Sequence, residues 1–475
     1  MCSPYRFPWR ILMTCLVALL VIAPIPSFAS SPSPGDDSLW RKPFPGDGPN
    51  QYVDAIVTRG DEVFVSGKFV HIGSMSVNYI ARFDGMRWTH VGTGLGTPGM
   101  GLVHTLALDG NRLYAGGMFD EAGPIAAHNV AVYDLITATW APLGAGTDRA
   151  VRGICVAKNG DVFIAGEFTR AGTVPSQGVA RFDGSAWHAL AGSLNRRARA
   201  MTVLASPAGG VYVAGFFTTA GGVTCNNIAY WDGTAFRSLD GGTDQLVTAL
   251  ALHDGQLYAG GSFTLAGART ARGIARWDGR QWHALGPGLS GAGGVGVRAI
   301  TFLGSYLYVG GAFRFAGTVA ANNIARWNGA HWEALGSGVN DQVKVITPVA
   351  GGMLIGGNFS AAGAMSAPYL AGWGPMRAPA AATPDVALYQ NEPNPFNPQT
   401  IIRYSVPVLS RVRLMVFDGG GHAVRALVDK IVGPGSHAVI WDGRDGAGVR
   451  VSTGMYFYRL ETGGKSVTRK MVVLK

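Results

Sequence analysis

The chain has 475 residues, 47% hydrophobic and 14% charged, with a formal net charge of +10. That balance excludes a disordered chain and leaves room for two or three domains with large buried cores. Seventy glycines without a Gly-X-Y period exclude collagen and point to many tight turns, and no run of Lys or Arg concentrates the charge, so no nucleic-acid partner is expected.

Residues 1–29 carry the three parts of a secretory signal: Arg6 and Arg10, the apolar run from Ile11 to Ile22, and the small residues ending at Ala29. Cleavage is expected after Ala29. The apolar run is short for a membrane span, which needs about 20 residues, so no transmembrane segment is expected in the mature chain. Of the four cysteines, Cys2 and Cys15 leave with the signal; Cys155 and Cys225 remain and are expected as free thiols. Metal-ligand and redox spacings are lacking, and no cofactor is expected.

From about residue 38 the chain repeats itself. The clearest copy, Leu257 to Gly286, has a small-residue strand ending in Phe, an Ala-Gly turn, an Ile-Ala-Arg-Trp strand, an Asp-Gly turn and a further Trp. Its Phe recurs at Phe69, Phe119, Phe168, Phe217, Phe263, Phe313 and Phe359, at intervals of 46 to 50 residues. Period-two alternation broken by glycines excludes helices and fits blades of four strands, a to d. In this copy the strands are expected at Val247 to Leu252, Leu257 to Phe263, Gly273 to Trp277 and Gln281 to Leu285, with a long b-to-c loop. The Asp-Gly pairs at Asp84, Asp183, Asp232 and Asp278, and Asn328-Gly329, read as type I′ turns rather than calcium ligands. Strand c aromatics run Phe83, Tyr133, Phe182, Trp231, Trp277, Trp327 and Trp373; strand d supplies Trp88, Trp140, Trp187, Phe236, Trp282 and Trp332. Trp40 stands where the missing seventh would. The expected fold is therefore all-β: a seven-bladed β-propeller over residues 30–375, its ring closed by an N-terminal strand, with the aromatics packed between sheets. Arg82, Arg181, Arg276 and Arg326 are expected to stack on aromatics or pair with the turn aspartates.

The wording GG-x-F-x-x-AG followed by N-x-I-A-R-W-D-G-x-x-W-x-x-LG resembles repeats of bacterial surface proteins and of the fungal cortical marker of cell polarity, and more loosely the kelch group. The resemblance implies a propeller used for surface interaction and carries no catalytic residue with it.

Long b-to-c and d-to-a connections share one face, the usual place for binding. Two variable columns reach it. One precedes the repeated Phe: Lys68, Met118, Glu167, Phe216, Ser262, Ala312 and Asn358. The other opens strand a: Asp54, His104, Arg152, Arg199, Thr248, Arg298 and Lys344. Lys68, Glu167, Ser262, Asn358, His104, Arg152, Arg199, Arg298 and Lys344 are thus the candidate ligand residues. Four cations of the second column suit an anionic glycan; a surface protein is the other candidate partner, and solvated strand starts are the plain alternative. No catalytic residue is assigned. The competing class is a carbohydrate-active enzyme, a glycan hydrolase or lyase on the same face, for which Glu167, Asp120 and Glu121 are the acids to test.

Residues 376–388 read as an Ala/Pro linker. Strands then resume at Thr400 to Val406, Arg411 to Phe417, Ala423 to Val428, His437 to Trp441, Gly454 to Glu461 and Ser466 to Leu474, a small Ig-like β-sandwich over residues 389–475. The motifs from Asn391 to Pro398, Val416-Phe417-Asp418, Trp441 to Asp445, Gly454 to Leu460 and Lys470 to Lys475 resemble the C-terminal sorting domain of type IX secretion cargo, and are similar to the Ig-like domain of flagellar hook-capping proteins. The resemblance implies an address read by type IX machinery at the outer membrane, a secreted or cell-surface location, and a sorting role for the basic tail with Lys470 and Lys475. A spacer or adhesive module is the structural alternative.

Overall fold

The computed structural model describes residues 36–195, 199–207, 209–291, 293–375, 386–406, 409–433 and 435–474. The expected signal segment, most of the expected linker and Lys475 lie outside them. Among the described residues every regular element is a strand, apart from one short 3-10 turn at Asp37–Leu39.

Between residues 40 and 373 there are seven four-stranded antiparallel sheets, each in the order a, b, c, d. The innermost strands are Val53–Arg59, Leu102–Asp109, Val151–Val156, Arg199–Ala205, Val247–His253, Gly296–Leu303 and Val343–Val349. Each packs on the innermost strand of the next sheet, and Val343–Val349 packs back on Val53–Arg59, so the row of sheets turns through a full circle. In the seventh sheet Trp40–Arg41 is the outer strand, with Trp40 paired to Trp373. The sheets meet face to face rather than edge to edge, and their cores are shared: Ala214 and Ile228 of the fourth sheet bury against Leu257, Ala259 and Trp282 of the fifth.

The double glycine of the repeat makes this packing possible. A Cβ on Gly260 would lie 2.4 Å from Cγ1 of Val297 in the next sheet, and one on Gly261 would lie 2.0 Å from the carbonyl oxygen of Leu246. The first glycine admits the neighbouring sheet; the second admits a bulge in strand a.

Each sheet carries one strand c to strand d aromatic pair with ring centroids 4.8 to 5.5 Å apart, including Trp277 with Trp282 and Trp40 with Trp373. Such pairs add roughly 0.5–1.5 kcal/mol each beyond area burial. Four indoles also stitch sheets together: the Nε1–H of Trp140, Trp187, Trp282 and Trp332 donates to the carbonyl of Val91, Leu143, Leu239 and Leu285 in the preceding sheet.

Three local expectations are corrected. The Asp-Gly c-to-d loops are not two-residue type I′ turns: Phe83 pairs with Trp88 across a four-residue loop in which Gly85, and not Asp84, has positive φ. The carboxylate instead accepts the N–H groups two and three residues on, as Asp278 does from Arg280 and Gln281. Type I′ geometry occurs at Asp254-Gly255, where both φ values are positive. The b-to-c loop holds a small hairpin, Leu265–Ala266 against Arg269–Thr270, turning at Gly267 with φ +56°. Lastly, of the two roles expected for the repeated arginines, stacking occurs at Arg82 over Phe64 and at Arg326 over Tyr306, but their polar partners are not the turn aspartates. Arg82, Arg181 and Arg276 reach the start of strand b, to Glu62, Asp161 and Gln256, while Arg326 bonds Glu333 and lies over the Tyr306 ring.

Residues 386–474 form a three-stranded sheet (Ala387–Leu388, Thr400–Val406, Gly435–Trp441) and a four-stranded one (Ser410–Phe417, Ala423–Val432, Gly454–Thr462, Lys465–Val473). Ile402, Tyr404 and Trp441 of the first share a core with Leu414, Tyr458 and Met471 of the second. Phe396 locks the last strand: its N–H donates to Val472 O, its carbonyl accepts from Leu474 N, and its ring packs 5.5 Å from Trp441. The Asn391-to-Pro398 motif and the C-terminal residues are thus one structural unit.

Candidate binding site

All seven innermost strands break register at the same place, directly after the residue paired with the last glycine of strand b. The skipped residue is Asp54, His104, Arg152, Met201, Thr248, Arg298 or Lys344. A β-bulge re-aims the side chain it skips, and here it does so seven times around one ring. In the fourth sheet the bulge falls on Met201. Arg199, expected in this column, lies two residues earlier, paired with Phe216; its side chain is outside the described residues. The pattern Val-x-Ala, repeated as Val53-Asp54-Ala55 and Val297-Arg298-Ala299, appears in this copy as Ala200-Met201-Thr202, and the substituted first residue hides the register.

The other column joins this one. The backbone N–H of Lys68, Glu167, Ser262 and Asn358 donates to the carbonyl of Tyr52, Ala150, Leu246 and Gln342, two residues before the bulge. Each variable residue before the repeated Phe therefore stands beside a bulge residue of its own sheet. Arg152 uses the arrangement directly, donating from Nε and Nη2 to Oε1 of Glu167 at 3.1 and 2.7 Å. Lys68 is exposed; Ser262 and Asn358 are half-buried.

The charges are linked across sheets. Asp54 accepts from Lys344 Nζ at 2.7 Å and lies 3.1 Å from His104 Nδ1, so three neighbouring sheets meet on one carboxylate. The Lys344 ammonium also sits 3.4 Å from the centre of the Tyr52 ring, a contact that strand alternation does not reveal. Burial lowers the pKa of Lys344; Asp54 opposes that shift, and Arg298 and Arg152 add to it. Arg298 is lowered too, first by desolvation, with Arg152 adding and Asp54 opposing. Arg298 is nonetheless open to solvent. Arg298 thus stands on an innermost strand, flanked by protein and open to solvent, at the axial mouth of the ring. Three cations, Arg152, Arg298 and Lys344, thus sense one another against two carboxylates, Asp54 and Glu167. Two buried polar atoms here have no hydrogen-bond partner, Nε2 of His104 and Oδ1 of Asn358.

Other expected candidates fall elsewhere. Asp120 and Glu121 are exposed, and Glu121 opens the small b-to-c hairpin of the second sheet. His188 and His283 bond the turn carboxylates of Asp183 and Asp278. Asp148 and Asp244 cap the small hairpins, Asp244 accepting from Thr264 N, Thr264 Oγ1 and Leu265 N. Cys155 and Cys225 are free. Lys470 is exposed, paired with Phe457 in the last two strands. Among the described residues no group of three or more His, Cys, Asp or Glu could hold a metal ion, and no helix is long and apolar enough to cross a membrane.

No family model and no curated protein matches this chain. Solved structures similar to it include PorZ, described as an essential bacterial surface component of the type-IX secretion system of Porphyromonas gingivalis, at 15% identity and a TM-score of 0.42 over 91% of this chain and 61% of that one. The chain thus spans less than two thirds of that protein. The WD40 β-propeller domain of Doa1 is 14% identical, with a TM-score of 0.45 over 72% of this chain and 98% of that one. The β-propeller domain of the Trilobed protease from Pyrococcus furiosus is 11% identical, with a TM-score of 0.42 over 68% and 95%.

Proposed function

We propose that this chain is an exported surface or secreted binding protein: a seven-bladed propeller that takes an anionic ligand, such as an acidic glycan, at its axial mouth, joined to an Ig-like domain that addresses it to type IX secretion machinery at the outer membrane. The repeated bulge carries the first half of this reading. It costs each sheet a ladder hydrogen bond, yet it recurs seven times while the residue it presents varies. Conserved scaffold with variable presented side chains is the pattern of a binding face. Arg298, Arg152 and Lys344 supply the positive field.

Binding is favoured over catalysis because Glu167, the acid an enzyme reading would need, gives one oxygen to both Arg152 bonds. That oxygen is committed to the ion pair. The sorting half rests on the resemblance of residues 389–475 and on the clasp between Phe396 and residues 472–474. A glycan array probed with the mature chain tests the ligand class: acidic glycans are expected to be retained, and retention of neutral glycans alone would contradict it.

A further inference from the structure

The seven interfaces between sheets are not alike, and their departures from the repeat fall together at one of them. In five sheets the a-to-b turn has two residues, as between Arg59 and Glu62 or His253 and Gln256. In the third and fourth sheets Val156 pairs with Val162, and Ala205 with Val211, leaving five residues between them. The fourth sheet also has Phe236 where the other six have Trp, so it has no indole N–H to offer the third sheet. Where these departures meet, a cleft of about 630 Å³ opens at the short-turn end, away from the axial mouth. Gly210 permits it: a Cβ there would lie 2.1 Å from the carbonyl oxygen of Trp231, so only glycine lets the longer turn fold back.

Phe163, Leu190 and Trp231 give the cleft an apolar floor, and Lys158, Asp161 and Arg181 its charge. Asp161 is already engaged, accepting from Arg181 at 3.0 Å and from Asn159 at 2.8 Å. Among the described residues Lys158 bonds the carbonyl of Pro207 alone, at 3.3 Å. Two cations against one satisfied carboxylate leave a single net positive charge above an apolar floor. We propose that this cleft is a second ligand site, for a small, singly charged acid built on a ring, of uronic-acid to disaccharide size. Its volume is in the usual range for small-ligand sites, roughly 300–1,000 Å³.

The test is calorimetric titration of the mature chain with glucuronate and, separately, with cyclohexanecarboxylate, which keeps the acid and the ring but lacks the hydroxyls. Saturable binding of either is expected, weakened at least tenfold by Lys158→Met and by Ala189→Trp, which fills the cleft from an exposed strand position, and unchanged by Arg280→Met, which removes an exposed cation in a turn of the fifth sheet away from the cleft. Preference for glucuronate would identify a sugar acid, and equal binding a simpler ring acid; both support the site. No binding of either probe, or equal affinity in Lys158→Met, overturns it. Should Ala189→Trp lower the melting temperature, Lys158→Met alone decides.

Discussion

Asp54 and Lys344, 290 residues apart in the chain, meet at 2.7 Å where the last of the seven sheets returns to the first. Their side chains keep only 10% and 20% of their exposure. Asp54→Ala would leave the Lys344 ammonium largely desolvated beside Arg298, and a loss of about 2–3 kcal/mol is expected in urea unfolding. Asp54→Ala combined with Lys344→Met should recover part of that loss, because the unpaired charge is gone. Recovery in the double variant separates an ion pair from a packing effect.

Gly261→Ala tests the bulge. Its new methyl group would lie 2.0 Å from the Leu246 carbonyl oxygen, backbone that has no rotamer to escape into. Destabilisation of about 2 kcal/mol or more is expected by thermal or urea unfolding. Trp282→Phe is a milder probe of the same neighbourhood. It removes the donor to Leu239 O in a fully buried place and should cost about 1–3 kcal/mol.

Acid should loosen the c-to-d turns. Asp183 and Asp232 are held well below the ordinary 3.8 first by the backbone N–H groups of Ala186 and Ala235, and Asp278 by that of Gln281. Folded pKa values below the unfolded ones stabilise the protein above pH about 3.8, a contribution lost as pH falls further. Asn at all three positions keeps the acceptor, as Asn328 already does in the sixth sheet, but cannot be protonated. The triple Asp→Asn variant should therefore match the parent at pH 7 and show a flatter loss of melting temperature below pH 4; an unchanged acid profile would count against the turn reading.

Much of the architecture was legible because a repeated chain states its rule seven times. The period, the aromatic columns and the place of Trp40 follow from strand alternation and ring arithmetic, and the C-terminal strands fell within a few residues of their expected bounds. What escaped was geometry that no single residue encodes. The bulge depends on a glycine in strand b rather than on the residue it presents, so Met201 and Arg199 could not be told apart by type. Tyr52 and Lys344 come together only when the ring closes, and the cleft at Lys158 and Arg181 shows only when turn lengths are compared between neighbours. The signal, however, was present: the two odd turns and the one Phe among tryptophans are visible in the chain.

The C-terminal domain makes a prediction about how sorting can be tested. Removing residues 470–475 would take Met471 and Val473 out of the core and strip Phe396 of both its backbone partners. Unfolding of that domain is expected, so failed export of the truncated chain would say nothing about the address. Phe396→Ala should cost about 3–5 kcal/mol within the same domain. Lys470→Gln, at an exposed position, should leave the fold intact; lost surface delivery in that variant, seen by surface labelling of whole cells, would support a role for the basic tail.

The axial mouth carries the central claim, and calorimetric titration of the mature chain with polygalacturonate tests it most directly. Saturable binding is expected, weakened by each added 0.1 M of salt, and reduced at least tenfold when Arg152, Arg298 and Lys344 are replaced together by Met. Equal binding by parent and triple variant, both folded, would contradict it.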